Sequence, residues 1–350
     1  MRISDGSKGT SRNGGNIHHH ARLFLVANPR LHKAPAPPLI EIAPIEIRNA
    51  VYEELIQRSP AVKYYSQLID GPGGLLSRGL HERAIQNYGA LPRTQKERAG
   101  LARILKKFVL VRFPKYAVRN AQSGMLGVPG FWLDESAVIQ LGNPRDYNMP
   151  SLIIPYRDDK GRIQGCQLRH HKNDVSVSEK KYRWLSSPLP FRGASAGTPL
   201  HFTFGSRDLR PGGTVVVTEG ALKADTLMSL KPKARVIAAS GVSCSHGEII
   251  SAVRRYNALI AFDADYETNP AVARQLARLV AAREQDVAAQ QLSASTRVLC
   301  WRGFKGIDDA VLANVSLETM TISQWFSTLD GKVLQEVKAV WEQMRYTPSS

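Results

Sequence analysis

The chain has 350 residues, which is long enough for two or three domains with hydrophobic cores of their own. Its 47 Lys and Arg outnumber 30 Asp and Glu, and the resulting net charge of +17 is typical of proteins that bind polyanions, nucleic acids above all. Three widely spaced cysteines exclude a cysteine-built zinc ribbon and argue against a disulfide framework, and the lack of a long apolar run or a signal segment favours a cytoplasmic protein with no membrane partner.

The N-terminal third is predicted to be an arm followed by helices. Residues 1–20 are rich in Gly, Ser and Asn and predict disorder, and the Pro-rich stretch 33–44 predicts an extended arm. Apolar residues at helical spacing indicate a helix that starts at Ile45, a second helix that ends at Gly89, and a third over 96–108.

Most of the positive charge lies in this first part of the chain. Residues 1–130 contain 20 Lys and Arg but only 8 Asp and Glu, a net charge of +12, so this part is expected to hold the polyanion. Residues 149–204 then predict an antiparallel β segment. SLIIPYRDDKGRIQGCQLR indicates two strands around a turn at 158–161, and residues 180–187 indicate a third strand.

From residue 214 onward, strand and helix patterns alternate. The predicted strands and helices are 214–219, 222–230, 235–239, 246–256, 258–263, 270–291 and 296–301 in order, beginning with a strand. This order predicts an α/β fold in which a parallel sheet is flanked by helices and preceded by a mixed α+β basic subdomain. Ser323–Met344 predicts a single long amphipathic helix. The expected domains are an arm at 1–44, a basic subdomain at 45–210, the α/β domain at 211–315 and the C-terminal helix at 316–350.

Two acidic signatures come at the ends of predicted strands. The run TVVVTEG ends at Glu219 and Gly220, and the run ALIAFDAD ends at Asp263 and Asp265. Because parallel strands present their carboxyl ends at one edge of a sheet, these side chains are expected to converge. Three converging carboxylates repel one another unless a cation lies between them, and hard oxygen ligands suit Mg²⁺. For either signature alone, a helix N-cap or a solvated loop residue is the alternative.

An EG pair after the first strand and a DxD after the third resemble the Toprim domain, which bacterial-type primases, topoisomerases and small nucleases share. GFKGIDD, residues 303–309, follows the last strand and is similar to the late acidic motif of primase Toprim domains. KGIDD also resembles a Toprim-core family that occurs with plasmid and phage replication genes. The resemblance extends over residues 130–314.

A segment upstream of the acidic motifs narrows the resemblance to primases. It is similar to a primase stretch in which a strand pair, an arginine and a KY element lead into a serine-proline segment, here Ile154–Asp158, Gly161, Gly165, Arg169, Lys181-Tyr182 and Ser186–Pro188. In those primases a basic subdomain lies beside Toprim, and the two frame a groove for template and nucleotides. Topoisomerases and small Toprim nucleases lack this segment.

The resemblance implies metal-dependent nucleotidyl transfer. The implied product is a short primer on a single-stranded DNA template, made from nucleoside triphosphates for a mobile element, with a separate replicative helicase as a candidate partner. The implied ligands of Mg²⁺ or Mn²⁺ are Glu219, Asp263 and Asp265, with Asp308 or Asp309. Lys223 and Lys305 are the lysines that could neutralise phosphate charge, although a surface role is as good an interpretation for each.

Basic strand residues are the best candidates for contacts with template or nucleotide. Arg169, Lys181 and Arg183 are expected on one face, because alternating strand positions point the same way, with Tyr182 and Trp184 facing the core on the other. Arg112 and Lys115 are further candidates, for which a solvated basic face is an equal alternative.

The chain also departs from the primase pattern. Replicative primases usually carry an acidic residue four positions after the motif glutamate, where this chain has Lys223, with Asp225 two positions further on. The cysteines cannot build a primase zinc module, and no GxxxxGK[ST] motif of a fused helicase occurs. Two alternatives therefore stay open: a Toprim nuclease, which would use the same carboxylates to activate water, and a catalytically weak DNA-binding accessory protein.

Overall fold

The computed structural model describes residues 9–10, 16–17, 40–64, 66–119, 125–170, 181–188, 193–205 and 209–346. The chain forms two units, residues 1–38 and 39–350. In the first unit, β1 (Gly9–Thr10) pairs antiparallel with β2 (Asn16–Ile17). The rest of the predicted tail, and the predicted arm up to residue 39, lie outside the described residues.

The second unit contains the helices and strands that the sequence predicts in alternation. Its helices are α1 (Ile45–Arg58), α2 (Ala61–Tyr64), α3 (Glu82–Ile85), α4 (Gln95–Arg112), α5 (Pro114–Arg119), α6 (Ala221–Leu230), α7 (His246–Val253), α8 (Pro270–Ala289), α9 (Ile307–Leu312), α10 (Ile322–Phe326) and α11 (Gly331–Tyr346). Its strands are β3 (Gly89–Leu91), β4 (Phe131–Leu133), β5 (Ile139–Leu141), β6 (Ser151–Arg157), β7 (Ile163–His170), β8 (Tyr182–Trp184), β9 (His201–Phe202), β10 (Thr214–Glu219), β11 (Val236–Ala239), β12 (Asn257–Ala261), β13 (Thr296–Cys300) and β14 (Glu318–Met320). None of the described helices is long and apolar enough to cross a lipid bilayer.

An antiparallel sheet in the order β3-β6-β7-β8 organises the first half of this unit. The predicted turn between β6 and β7 forms because Asp158 Oδ1 accepts hydrogen bonds from the backbone N–H groups of Lys160 and Arg162, and because Gly161 adopts a positive φ of 79°. One face of the sheet packs against α1 and α4 through residues such as Leu168, and the opposite face packs against α6.

A mixed sheet in the order β14-β13-β12-β10-β11-β9 organises the second half. Its four central strands are parallel, and β9 and β14 are antiparallel additions at the edges. The helices α7, α8 and α11 share one hydrophobic core with this sheet, and α6 and α9 share another. The predicted fold class, a parallel sheet flanked by helices and preceded by a mixed α+β basic part, is confirmed.

Two predicted helices are wrong in extent. The helix expected to end at Gly89 is a series of turns followed by the single turn of α3, because Gly79 takes a positive φ angle of 87° that interrupts a helix. The single C-terminal helix is two helices. α10 is delimited by its Thr321 capping box, and α11 starts at Gly331, whose φ is +47°.

Helix α6 packs against both sheets at once. Ala221 and Leu222 lie in the core of the antiparallel sheet, whereas Leu227 lies in the core that α6 shares with α9. Asp225, on the same helix, accepts hydrogen bonds from the Tyr88 hydroxyl and from His201 Nε2, the latter at 2.9 Å. The orientation of α6 is therefore determined from two sides.

Truncation of Leu222 tests this double packing. Leu222 is 3% exposed, so Leu222→Ala is expected to lower the free energy of unfolding by about 2–4 kcal/mol in urea denaturation followed by circular dichroism. The matched control is Leu110→Ala, at a leucine that is 50% exposed, for which a loss below about 0.5 kcal/mol is expected. Equal losses for the two variants would contradict the packing described for α6.

Candidate active site at the carboxyl edge of the parallel sheet

Glu219 and Lys223 are placed by the turn from β10 into α6. Glu219 is the last residue of its strand, and Gly220 turns the chain with a φ of 81°, which side-chain-bearing residues rarely adopt. The Gly220 N–H donates to Ala239 O at 2.6 Å and ties the turn to the neighbouring strand β11. Lys223 then lies in the first turn of α6, four residues after Glu219 in the chain.

Asp263 and Asp265 follow the adjacent strand, β12, which pairs in parallel with β10. The predicted strand 258–263 ends earlier, at Ala261, and Asp265 lies in a 3₁₀ turn over Ala264–Glu267. Strand alternation is therefore not what orients this pair. The structure brings Asp263 within hydrogen-bonding reach of Glu219 and places Asp265 beside it.

Lys223 sits between two of these carboxylates. Its Nζ donates to Glu219 Oε1 at 3.2 Å and also to Asp263 Oδ1. The side chain is only 18% exposed. Burial is the largest single influence and by itself lowers the pKa of Lys223, but the carboxylates of Glu219 and Asp263 outweigh it and hold the pKa above the ordinary lysine value.

Lys305 sits between Asp263 and Asp265. Its Nζ lies 2.9 Å from Asp265 Oδ2 and 3.9 Å from Asp263 Oδ2, and its side chain is 66% exposed. The hydrogen bond to Asp265 raises the pKa of Lys305. The backbone of this loop is held in place because the Ala264 N–H donates to Lys305 O at 2.9 Å.

The late acidic motif divides into one buried and one exposed residue. Asp308 is 1% exposed and forms an ion pair with Arg78, while Asp309 is exposed in the first turn of α9. A side chain at Gly306 would place its Cβ 2.4 Å from Asp308 Oδ1, so the Asp308 carboxylate would have to shift to make room for it. Because α9 starts at Ile307, both aspartates lie in its first turn.

The carboxylates fit one divalent cation better than several. In the described part of the chain, no group of three His, Cys, Asp or Glu side chains is arranged to hold a metal ion. Asp265 Oδ1, however, is buried without a hydrogen-bond partner among the described residues, and Asp263 and Asp265 together offer hard oxygen atoms. Mg²⁺ is commonly held by one or two carboxylates and keeps several waters, so this pair suits it.

The basic strand residues do not share one face as expected. In the antiparallel register Arg169 lies opposite Tyr182, and Leu168 lies opposite Arg183, so Arg169 and Arg183 point to opposite sides of the sheet. Arg183 lies 3.5 Å from Asp146, and Lys181 Nζ lies 5.7 Å from the Tyr182 ring. The prediction was wrong because the faces of residues on two neighbouring strands depend on the register between the strands, which alternation within one strand does not give.

Arg169 lies on the face of the antiparallel sheet that packs against α6. It is 8% exposed, its Nη2 donates to Gly73 O at 2.7 Å, and its Nε has no hydrogen-bond partner among the described residues. Burial lowers the pKa of Arg169, and the nearby Arg78 adds to this effect. A buried guanidinium that no described carboxylate neutralises favours an anion as its missing partner.

Arg112 and Lys115 are not brought to the carboxylates. Arg112 is the last residue of α4, Lys115 lies in α5, and both are exposed. α4 packs on the face of the antiparallel sheet opposite to α6. Any contact of these two residues with a polyanion is therefore separate from the carboxylate site.

Sequence reasoning missed Arg78 and two of the residues that line a cleft beside Glu219. Gln167 and Tyr182 share a cleft of about 220 Å³ with Glu219 and Lys223. Arg78 lies in the segment that was predicted as a helix, so no pattern marked it. Only the strand register could have placed Tyr182 in the cleft.

His170 belongs to a buried chain that resembles a hydrolase triad in composition only. Its Nδ1 lies 2.8 Å from Ser151 Oγ and its Nε2 lies 3.4 Å from Asp146 Oδ1. All three residues are at most 1% exposed, so no substrate can reach the hydroxyl. This burial indicates that His170 has a structural role in the core.

Comparison with known proteins finds similarity in structure only. No protein-family model matches the chain, and no curated protein does. A DNA primase domain from Pseudomonas aeruginosa superposes with a TM-score of 0.51 at 17% identity, covering 84% of this chain and 94% of that one. The RNA polymerase domain of Mycobacterium tuberculosis primase DnaG, in complex with a double-stranded DNA oligomer with a 6-nucleotide overhang, gives 0.51 at 16% identity, covering 87% and 92%. The zinc-binding and RNA polymerase domains of Aquifex aeolicus primase give 0.50 at 12%, covering 88% and 74%. The chain thus has a fold like that of bacterial primase catalytic cores.

The buried carboxylate of Asp263 makes stability depend on pH. Burial is the main cause that raises its pKa to about 6, a hydrogen bond with Glu219 adds to the rise, and Lys223 opposes it. Since an unfolded aspartate has a pKa of about 3.9, folding takes up a proton between these values. This group therefore favours folding as the pH falls through about 6 and opposes folding above it.

Asp263→Asn, which mimics the protonated acid, is expected to be more stable than the wild type at pH 8, by roughly 2–3 kcal/mol. The difference should shrink toward pH 4.5. Urea denaturation in the presence of a chelator measures it, with Glu135→Gln, at an exposed loop carboxylate, as the control expected to change little. A variant less stable than the wild type at pH 8 would contradict this account of Asp263.

Proposed function

We propose that this chain is a primase-like nucleotidyltransferase of the Toprim type, which makes short primers on single-stranded DNA from nucleoside triphosphates. The observation that carries the proposal is the meeting of Glu219, Asp263 and Asp265 at the carboxyl edge of the parallel sheet. Glu219 lines a cleft with Gln167 and Tyr182, on the face of the antiparallel sheet to which Arg169 belongs. The fold, which resembles bacterial primase catalytic cores, supports this function over other uses of a carboxylate cluster.

Mg²⁺ or Mn²⁺ is the proposed cofactor, with Asp263 and Asp265 as the residues that would hold it. When bound, such an ion would neutralise triphosphate charge and lower the pKa of the attacking 3′-hydroxyl. In this proposal Asp308 serves the site indirectly, through its ion pair with Arg78, and Asp309 stays a candidate at the rim.

The remaining basic side chains would hold the carboxylates in position and neutralise phosphate charge. Lys223 keeps Glu219 and Asp263 together despite their like charge. Lys305, whose ammonium is exposed, can turn from Asp265 to a phosphate oxygen of an incoming nucleotide. Arg169 supplies a cation that draws the phosphates of the template or the nucleotide into the cleft.

The excess of basic residues supports DNA as the partner. Residues 1–130 carry a net charge of +12, and counterion release then drives binding to a polyanion. The proposed division of the chain is an arm at 1–44, a basic part at 45–210, a Toprim part at 211–315 and a C-terminal part at 316–350. A mobile-element context and a separate helicase belong to the same proposal and rest on the sequence resemblance alone.

A priming assay tests the proposal. The full chain is incubated with single-stranded DNA, labelled ribonucleotides and Mg²⁺ or Mn²⁺, and the products are resolved on a sequencing gel. Short oligoribonucleotides are expected, and Asp263→Ala and Asp265→Ala are expected to reduce their yield at least about 100-fold. Strand cleavage without synthesis would replace the proposed activity with that of a nuclease.

A catalytically weak DNA-binding accessory protein is the second candidate, and the position of Lys223 favours it. An ammonium already lies between Glu219 and Asp263, so this pair has less free charge with which to bind a metal. DNA binding that survives Glu219→Ala and Asp263→Ala, in a chain that makes no primers, would identify the accessory protein.

Substitution of two arginines on opposite faces of the antiparallel sheet tests which face binds nucleic acid. Arg169→Gln is expected to weaken binding of fluorescent single-stranded DNA about tenfold and to reduce the salt dependence by about one charge, because it removes one phosphate contact. Arg183→Gln removes the same charge on the other face and is the matched control, with a change below about threefold expected. Thermal melts establish that both variants are folded, and an equal loss for the two variants would contradict the assignment of the Arg169 face.

A further inference from the structure

A cavity of about 440 Å³ lies beside helix α6, away from the carboxylate site. It is lined by the β6–β7 turn, by β9 and the residues that follow it, and by the side of α6 that carries Asp225. Asp225 is two residues after Lys223, and positions two apart on a helix point about 200° from each other. The cavity is therefore on the side of α6 that faces away from Glu219. Its size is within the range of about 300–1,000 Å³ that is common for small-molecule sites.

The Asp225 carboxylate in this cavity is fixed as a hydrogen-bond acceptor. His201 Nδ1 accepts the Arg157 N–H at 3.1 Å, so the imidazole proton is on Nε2, which donates to Asp225 Oδ1 at 2.9 Å. The Tyr88 hydroxyl donates to Asp225 Oδ2. Burial and the charge of Asp225 raise the pKa of Tyr88 well above its ordinary value, so this hydroxyl keeps its proton.

Each oxygen of this carboxylate still has an acceptor position for a ligand. A carboxylate can accept about four hydrogen bonds, and Asp225 accepts two from the described residues. Its side chain is 24% exposed and lines the cavity. Two acceptors side by side fit a ligand with two parallel N–H donors. A guanine base, through N1–H and its 2-amino group, and a guanidinium group both have such an edge.

Two cations at the same cavity favour the guanine base. Arg157 and Lys160 both line it, and neither forms an ion pair with a carboxylate of the described residues. Asp158, in the same turn, is bound to Arg162 at 2.8 Å instead. These cations repel a guanidinium ligand and attract a phosphate group. A ligand with both a guanine edge and a phosphate satisfies the two ends of the cavity together.

Phe202 and Phe204 give the cavity an aromatic wall. The two half-buried rings line it with their centroids 6.1 Å apart. Proteins hold unpaired bases by stacking on aromatic rings combined with hydrogen bonds to the base edge. The wall and the Asp225 carboxylate supply these two kinds of contact.

We propose that this cavity binds a guanine nucleotide, with the base edge on Asp225 and the phosphate on Arg157 and Lys160. Adenine is disfavoured, because its N1 is an acceptor and would face a carboxylate oxygen. The inference does not depend on the proposed function, since Glu219, Asp263 and Asp265 do not line this cavity.

Binding of guanosine monophosphate (GMP) to the full chain tests the inference. It is measured by isothermal titration calorimetry in the presence of a chelator, which removes any divalent cation from the carboxylate site. GMP is expected to bind at one site. Inosine monophosphate, which lacks the 2-amino group, is expected to bind at least about tenfold more weakly, and AMP more weakly still. Asp263→Asn is expected to bind GMP like the wild type.

Asp225→Asn gives the sharpest test of the base contact. An asparagine here can accept from His201 and donate to the Tyr88 hydroxyl, so it keeps both bonds but offers a ligand one acceptor and one donor. It is expected to lose at least about tenfold in affinity for GMP and to gain affinity for xanthosine monophosphate, in which a carbonyl replaces the 2-amino group. A purely structural role of Asp225 would not reverse a preference between two bases.

Lys160→Gln tests the phosphate contact. It is expected to weaken GMP binding several-fold and to leave the binding of guanosine, which has no phosphate, unchanged. Lys231→Gln, at another exposed lysine, is the matched control and is expected to change neither.

A guanine in a DNA strand presents the same groups as GMP. If GMP displaces a labelled oligothymidine that contains one guanine, but not plain oligothymidine, the strand is a source of the bound base. If it displaces neither, the ligand is the free nucleotide.

Three results would overturn the inference: equal affinities for GMP and AMP, no GMP binding at millimolar concentration, or a loss of GMP binding in Asp263→Asn but not in folded Asp225→Asn. Circular dichroism establishes folding. If Asp225→Asn fails to fold, the base preference of the wild type and the effect of Lys160→Gln still decide. The proposed function fails separately, because a chain that binds GMP but makes no primers refutes priming alone.

Discussion

Repulsion among carboxylates at one edge of a sheet is the constraint on which this structure depends. Parallel strands deliver Glu219, Asp263 and Asp265 to the same small region, and the burial that raises the pKa of Asp263 to about 6 measures how unfavourable its charge is there. Lysine ammonium groups lie between the acids and offset this repulsion. The turn at Gly220 and the loop around Lys305 are built so that these ammonium groups reach the gaps.

Helix α6 connects these lysine–carboxylate contacts to the packing of both sheets in the second unit. The same ten residues carry Lys223 to the acids, Leu222 into the antiparallel sheet and Leu227 into the parallel one. A change in the contact between the two sheets would therefore move the ammonium relative to the carboxylates. Packing and electrostatics are coupled through a single short helix.

The sequence was most informative where geometry follows from chain order. Strand ends in a parallel sheet must meet, so the meeting of Glu219 and Asp263 could be predicted. The contact of Lys223 with both acids could not be predicted, because it depends on how the chain turns at Gly220 from β10 into α6. The face of Arg169 could not be predicted, because it depends on the register between β7 and β8. The extent of the helix before Gly89 failed for another reason: Gly79 takes a positive φ, and periodicity alone does not detect such a turn.

Gly306 limits which side chains the site can contain. Its missing side chain leaves room for the Asp308 carboxylate and for the stem of Lys223. An exchange of Lys223 for an acid would place a further carboxylate in this crowded space and remove the cation that relieves it. An acidic residue at position 223 would therefore need a bound cation to offset its charge.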